Sequence, residues 1–108
     1  MPYRVLLTDK AEADVAAVLQ WFRDQRATEA GGRWFAQLMS RLDTLEPRPE
    51  RCPVMPESVD VGDDIRELLL GRGRYRYRIL FRIVGRTVHI LRVWQGSRDA
   101  ITRQDLTD

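Results

Sequence analysis

The chain has one histidine and one cysteine, His89 and Cys52, among 108 residues that include seventeen arginines and a single lysine, Lys10. Any Ser-His-Asp or Cys-His group would have to be built on His89. That residue falls in a predicted strand, where packing or a neighbouring hydrogen bond accounts for it. A protein zinc site takes four nitrogen or sulfur ligands, or three and a water. One histidine, one cysteine and carboxylates at no ligand-like spacing do not supply them, so no metal and no cofactor is expected. Asp63-Asp64 reads as an acidic pair in a loop before a strand. Gly71-Arg72-Gly73 opens no helix and reads as a turn, not a phosphate cradle. Arg51 beside Cys52 would favour some thiolate character, against the simpler reading of a small loop residue.

The remaining chemistry is cationic. From Tyr75 to Val84 the sequence alternates with period two. Tyr75, Tyr77, Ile79, Phe81 and Ile83 fall on one face, and Arg74, Arg76, Arg78 and Arg82 on the other, interrupted by Leu80. A guanidinium in mid-strand is costly unless its face is open or meets an anion. Arginine forks match phosphate and carboxylate geometry in a way that a lysine point charge does not. The row therefore suggests an open face for phosphates or an acidic peptide, with solvated anti-aggregation charges on an exposed strand as the plainer reading.

The elements that must position this row are legible in outline. Tyr3–Thr8 is a short β-rich run. Thr8 or Asp9 can cap a helix over roughly residues 9–25, with Glu12 following and Ala11, Val15, Val18, Leu19 and Phe22 forming its apolar stripe. A second helix follows Thr28, with Phe35, Leu38, Met39, Leu42 and Leu45 as its stripe and Trp34 at the edge. Gly31-Gly32 weaken its first turn. The short connection at Arg26–Thr28 makes the two helices an antiparallel hairpin. Four of five prolines lie in Glu46–Pro56, an ordered loop between helices and sheet. Strands follow at Ile65–Leu70, Tyr75–Val84 and Thr87–Trp94, the last two joined at Gly85-Arg86. A two-residue loop puts Val88, Ile90 and Trp94 on the tyrosine face, whereas a one-residue change puts His89, Leu91 and Val93 there. Residues 97–107 read as a short helix or a mobile tail. The expected fold is α+β: an N-terminal strand, then a helical hairpin packed on one face of a small, mostly antiparallel sheet, as one domain over residues 1–108.

Charge is divided along the chain. Residues 1–64 carry eight basic and twelve acidic side chains, a net of −4, and residues 65–108 carry ten and four, a net of +6. An arginine-rich C-terminal half points to an anionic partner, whether nucleic acid, a nucleic-acid-handling complex or an acidic peptide, so a plain nucleic-acid-binding module is one reading of the chain. No apolar run approaches the roughly 18–20 residues of a membrane span, and Met1-Pro2-Tyr3-Arg4 opens no signal-peptide core. The expected setting is a reducing cytoplasm, with no membrane partner.

Three segments in succession carry a family resemblance: Ile65-Arg66-Glu67-Leu68-Leu69-Leu70-Gly71, Tyr77-Arg78-Ile79-Leu80-Phe81-Arg82-Ile83, and Thr87-Val88-His89-Ile90-Leu91-Arg92-Val93 with the ending Gly96-Ser97-Arg98-Asp99. Together with the opening strand and the helix containing Ala11, Glu12 and Asp14, they resemble the ParE/RelE superfamily of toxins from bacterial type II toxin–antitoxin modules. The RelE-like branch implies a ribosome-dependent mRNA endonuclease, for which Arg66, Arg78 and Arg98 match the basic catalytic positions. Leu68 stands where that branch would place a further lysine, no tyrosine follows Tyr77, and Gln95-Gly96 replaces a His-Gly.

The ParE-like branch implies instead a binding inhibitor of DNA gyrase that breaks no bond itself, and the missing acid and base favour it. On that reading Arg76, Arg78, Arg82, Arg92, Trp94 and Arg98 are candidate target contacts. Either branch implies a ParD-like antitoxin as partner, in a toxin–antitoxin hetero-oligomer. Trp21, Trp34, Phe35 and Arg74 are its candidate contacts, with the core as the alternative place for both tryptophans.

Overall fold

The computed structural model describes residues 2–58, 64–73, 76–96 and 100–107. The first strand, β1 (Arg4–Leu7), leads into helices α1 (Asp9–Asp24) and α2 (Thr28–Asp43). A single 3₁₀ turn follows at Pro49–Arg51, then strands β2 (Arg66–Leu70), β3 (Tyr77–Val84) and β4 (Thr87–Gln95), and a last short helix α3 (Arg103–Leu106). The sheet order is β1-β4-β3-β2. β1 runs parallel to β4, while the β2–β3 and β3–β4 pairs are antiparallel. This is the expected α+β arrangement.

Local chemistry sets the helix ends. Thr8 caps α1, its Oγ1 accepting from the Ala11 N–H at 3.3 Å, and Asp9 and Glu12 put negative charge at the positive end of the helix. At the other end Arg26 adopts φ 55°, the Ala27 N–H donates to Phe22 O and the Arg26 N–H to Arg23 O. These are the two bonds of a Schellman stop, with arginine where glycine is usual. Gly31 then allows the helices to approach closely, since a Cβ there would lie 3.0 Å from Phe22 Cβ; at Gly32 there is open space.

The buried stripe of α2 is Gly31, Trp34, Leu38 and Leu42. Trp34 is therefore a core residue. Phe35 and Met39, expected on the stripe, are exposed because each lies about 100° around the helix from its buried neighbour. With Ala11, Val15, Leu45 and Cys52 the stripe covers Leu68, Leu70, Ile79, Phe81, Val88, Ile90 and Val93 of the sheet.

Hairpin register is decided by a β-bulge. The turn at Gly85-Arg86 pairs Val84 with Thr87 and Phe81 with Ile90, yet Leu80 pairs with Arg92, so Leu91 is an extra residue in β4. Val88 and Ile90 face the helices as a two-residue loop requires. Past the bulge it is Val93 that does so, and Trp94 turns to the opposite face.

That opposite face is not open, contrary to the sequence reading. Leu80, Leu91 and Trp94 form a second core with Met55, Ile65, Ile101 and Leu106. Leu80, read as an interruption of the arginine row, belongs to this core, and the C-terminal segment is docked over it. Tyr75 lies outside the described residues, and β3 begins at Tyr77.

Candidate functional site

The arginines expected to form one row are dispersed by these constraints. Arg78 points to the second face, where Glu57 accepts from Nη1 and Nη2 at 2.8 Å each and Glu67 accepts from Nε at 2.9 Å and Nη2 at 2.6 Å. The hydrogen bonds hold the Arg78 guanidinium firmly protonated and lower the Glu57 pKa below the usual carboxylate range. Arg92 is likewise engaged. Asp14 on α1 accepts from its Nε at 2.8 Å and Nη2 at 2.7 Å, and the Asp105 carbonyl accepts from Nη1 at 3.0 Å. Hydrogen bonding to Asp14 raises the Arg92 pKa. Trp94 is 3% exposed, with the Arg92 guanidinium 5.0 Å from its ring centroid. The open face expected for Arg78, Arg92 and Trp94 is thus replaced by internal ion pairs and a core.

Arg66 pairs with Phe81, three residues from Arg78, so strand alternation sends the two guanidinium groups to opposite faces of the sheet. Arg66 Nη1 donates to the carbonyls of Cys52 and Glu50. Arg82 is half-buried beyond Leu80, and Arg76 is exposed just before β3, its carbonyl accepting from the Gly96 N–H at 2.8 Å. Arg74 and Arg98 lie outside the described residues, as do Ser97 and Asp99.

Thr8 and Asp14 organise the end of β4 that β1 does not reach. The Thr8 N–H and Oγ1 both donate to Ile90 O, and Oγ1 is within 3.1 Å of Leu91 O, at the bulge. Two residues on, the Val93 N–H donates to Asp14 Oδ2 at 2.9 Å. Helix α1 thereby satisfies the edge of β4 with side chains where the parallel strand stops.

Between this edge and the helical hairpin lies a groove of about 730 Å³, lined by Ala17, Val18, Trp21, Phe22, Trp34, Tyr77 and Val93, with Asp14 and Gln95 as its polar members. Trp21 is 55% exposed and meets Phe22 edge to face at 5.2 Å. Trp34 forms the floor, edge to face with Tyr77 at 5.4 Å, and its indole N–H has no hydrogen-bond partner among the described residues. Burial pushes the Tyr77 phenol up. The structure brings the candidates Trp21 and Trp34 together here. Phe35 does not line the groove.

Among the described residues the groove and its margins hold no nucleophile–base pair. Cys52 sits in the helix-side core, where burial raises its pKa against the opposing charges of Arg51, Arg41 and Arg66. His89 pairs with Arg82 on the other face of the sheet. Among the described residues no three His, Cys, Asp or Glu side chains converge as metal ligands, and no helix is long and apolar enough to cross a membrane.

Comparison with known proteins places this architecture. Residues 5–100 match the family described as ParE toxin of type II toxin–antitoxin system, parDE. A protein named Toxin RelE1 from Caulobacter vibrioides is 30% identical over 96 residues, covering 89% of this chain and 96% of that protein. A solved structure described as the chromosomal ParDE TA system from P. aeruginosa superposes with a TM-score of 0.69 at 22% identity, over 86% of this chain and 95% of the other. The chain belongs to the ParE toxin family of the ParE/RelE superfamily, and is the toxin component of a type II toxin–antitoxin system.

Proposed function

We propose that this toxin acts by binding its target and not by cutting RNA, with DNA gyrase in the cytoplasm as that target. The observation that carries the first part is the fate of Arg78. Both terminal nitrogens and Nε are taken by Glu57 and Glu67, and Arg66 lies across the sheet from it. A metal-free ribonuclease needs cations converging on one phosphate and a group to move the proton. Here Arg78 is neutralised and Arg66 diverges from it, and His89 faces the side of the sheet opposite the helix-side core that holds Cys52. The choice of gyrase rests on membership of the ParE family.

The second part of the proposal concerns neutralisation. The groove floored by Trp34 and rimmed by Trp21 is apolar and concave, the kind of surface into which an amphipathic helix lays its apolar face. A ParD-like antitoxin segment is its proposed occupant, and Trp21 its aromatic anchor.

Purified protein should inhibit gyrase supercoiling, and the cognate antitoxin should reverse the inhibition. Trp21→Asp should abolish that reversal while leaving inhibition and thermal stability near wild type. Unimpaired supercoiling at stoichiometric excess, together with message cleaved in translating ribosomes and spared by Arg78→Ala, would overturn the binding mechanism. Antitoxin reversal that survives Trp21→Asp would remove the groove from it.

A further inference from the structure

Arginine is used in two ways in this chain. Arg78 and Arg92 are matched to carboxylates, Glu57 and Glu67 for the first and Asp14 for the second. Arg41, Arg51 and Arg66 are not. Arg41 donates from Nε and Nη2 to Leu69 O. Arg51 donates from Nη2 to Thr44 O and from Nη1 to Cys52 Sγ, and Arg66 from Nη1 to Glu50 O and Cys52 O. Every one of these acceptors is uncharged. A carbonyl satisfies an N–H but leaves the charge of the guanidinium in place.

The three come from separate elements, the last turn of α2, the 3₁₀ turn and the start of β2, and the path of the chain brings them to one place. Val54 bridges Arg66 in antiparallel sense and the Glu67 N–H donates to Pro53 O, so Cys52 follows alongside Leu68, with which it shares the helix-side core. Arg66 reaches forward to the Cys52 carbonyl, Arg51 folds back onto its thiol, and Arg41 caps the carbonyl of the residue after Leu68. Counter-charge is held elsewhere. Asp43 and Glu46 line a groove beside β1, at the opposite edge of the sheet from β2, and Glu67 is taken by Arg78. Among the described residues no carboxylate pairs with the three guanidinium groups. Arg41 Nη1, Arg51 Nε, and Nε and Nη2 of Arg66 are left as spare donors, with Arg41 and Arg51 exposed and Arg66 half-buried.

We propose that Arg41, Arg51 and Arg66 form an anion site that takes a terminal phosphate group, a phosphate monoester. Three like charges gathered without a counter-charge repel one another, and a bound dianion relieves that repulsion. Guanidinium forks fit carboxylate and phosphate oxygens alike, so the number of forks decides between them. A carboxylate or a backbone phosphodiester offers two free oxygens and a single charge. A monoester offers three oxygens and nearly two charges at neutral pH, one oxygen for each arginine. The site shares no residue with the Trp21–Trp34 groove.

Calorimetric titration of the purified chain with inorganic phosphate at constant ionic strength should give saturable binding, with sulfate competing and acetate failing to. Arg41→Gln and Arg51→Gln, at exposed positions, should each weaken phosphate binding about tenfold, the worth of one charge-assisted hydrogen bond. Arg86→Gln, at the β3–β4 turn, should not. Cooperative melting of each variant separates lost binding from lost folding. A nucleoside 5′-monophosphate and a 5′-phosphorylated oligonucleotide then tell a free ligand from a nucleic-acid end, the same chemistry from two sources. The oligonucleotide without its terminal phosphate should bind about tenfold more weakly than with it. Equal binding of the two would overturn the assignment in favour of the phosphodiester backbone. Absence of saturable phosphate binding, acetate binding as well as phosphate, or wild-type affinity in both glutamine variants would each overturn the site itself. Trp21→Asp should bind phosphate unchanged, so failure here is independent of the groove and of gyrase.

Discussion

Asp14→Ala tests the link between α1 and β4. The carboxylate accepts two hydrogen bonds from Arg92 and one from the Val93 N–H, and the two side chains are 10% and 12% exposed. Removing one member of a fully buried pair costs about 3–5 kcal/mol, because the other charge is left uncompensated. Arg92 keeps the Asp105 carbonyl at 3.0 Å and its carboxylate at 4.0 Å, so the ionic part falls to about 2 kcal/mol. An orphaned Val93 N–H adds about 1 kcal/mol. The sum, about 3 kcal/mol, corresponds to a melting temperature lower by roughly 15 °C for a domain of this size.

Urea denaturation should show the midpoint falling at an unchanged slope. Asp14→Asn, which keeps an acceptor but not the charge, should lose about half as much. Asp14→Leu combined with Arg92→Met should recover most of the loss, since both charges leave together. A loss below about 1 kcal/mol for Asp14→Ala would refute the reasoning, for it would mean that Arg92 is adequately solvated or re-paired without Asp14.

Three further outcomes follow from the geometry. Arg26→Gly should raise stability by about 1 kcal/mol in thermal melts, because glycine carries no Cβ penalty at φ 55°; no gain would mean that the arginine side chain compensates. Gly31→Ala should lower stability by about 1–3 kcal/mol by pushing the helices apart at Phe22, whereas Gly32→Ala should stabilise slightly. For Glu57, hydrogen bonding to Arg78 lowers the folded-state pKa below the unfolded one, so the stability it adds is full above the ordinary glutamate range and lost as pH falls through the lowered value. The gap between wild type and Glu57→Gln should be widest at neutral pH and close in acid; a gap independent of pH would show that the ion pair contributes nothing.

Much of the fold could be read along the chain because its elements are locally encoded. Thr8 before an apolar stripe of period 3.6 starts α1 where expected, and the alternation before Gly85-Arg86 marks β3 and its turn. The strand succession around Arg66, Arg78 and Arg92 is enough to point to the family. Asp14 could be placed on the first helix, but its partner lies 78 positions away and nothing local names it.

Tertiary structure alone decided what the arginines do. One extra residue at Leu91 reverses the facing of everything after it, so Trp94 enters a second core and Val93 takes its place under the helices. Whether Arg78 faces solvent or two carboxylates depends on Glu57, carried in by a loop whose path no periodicity records. Residue type and spacing determine which face of an element is apolar. Which distant group meets that face, and whether a charge there is free or neutralised, is settled only when the elements are packed together.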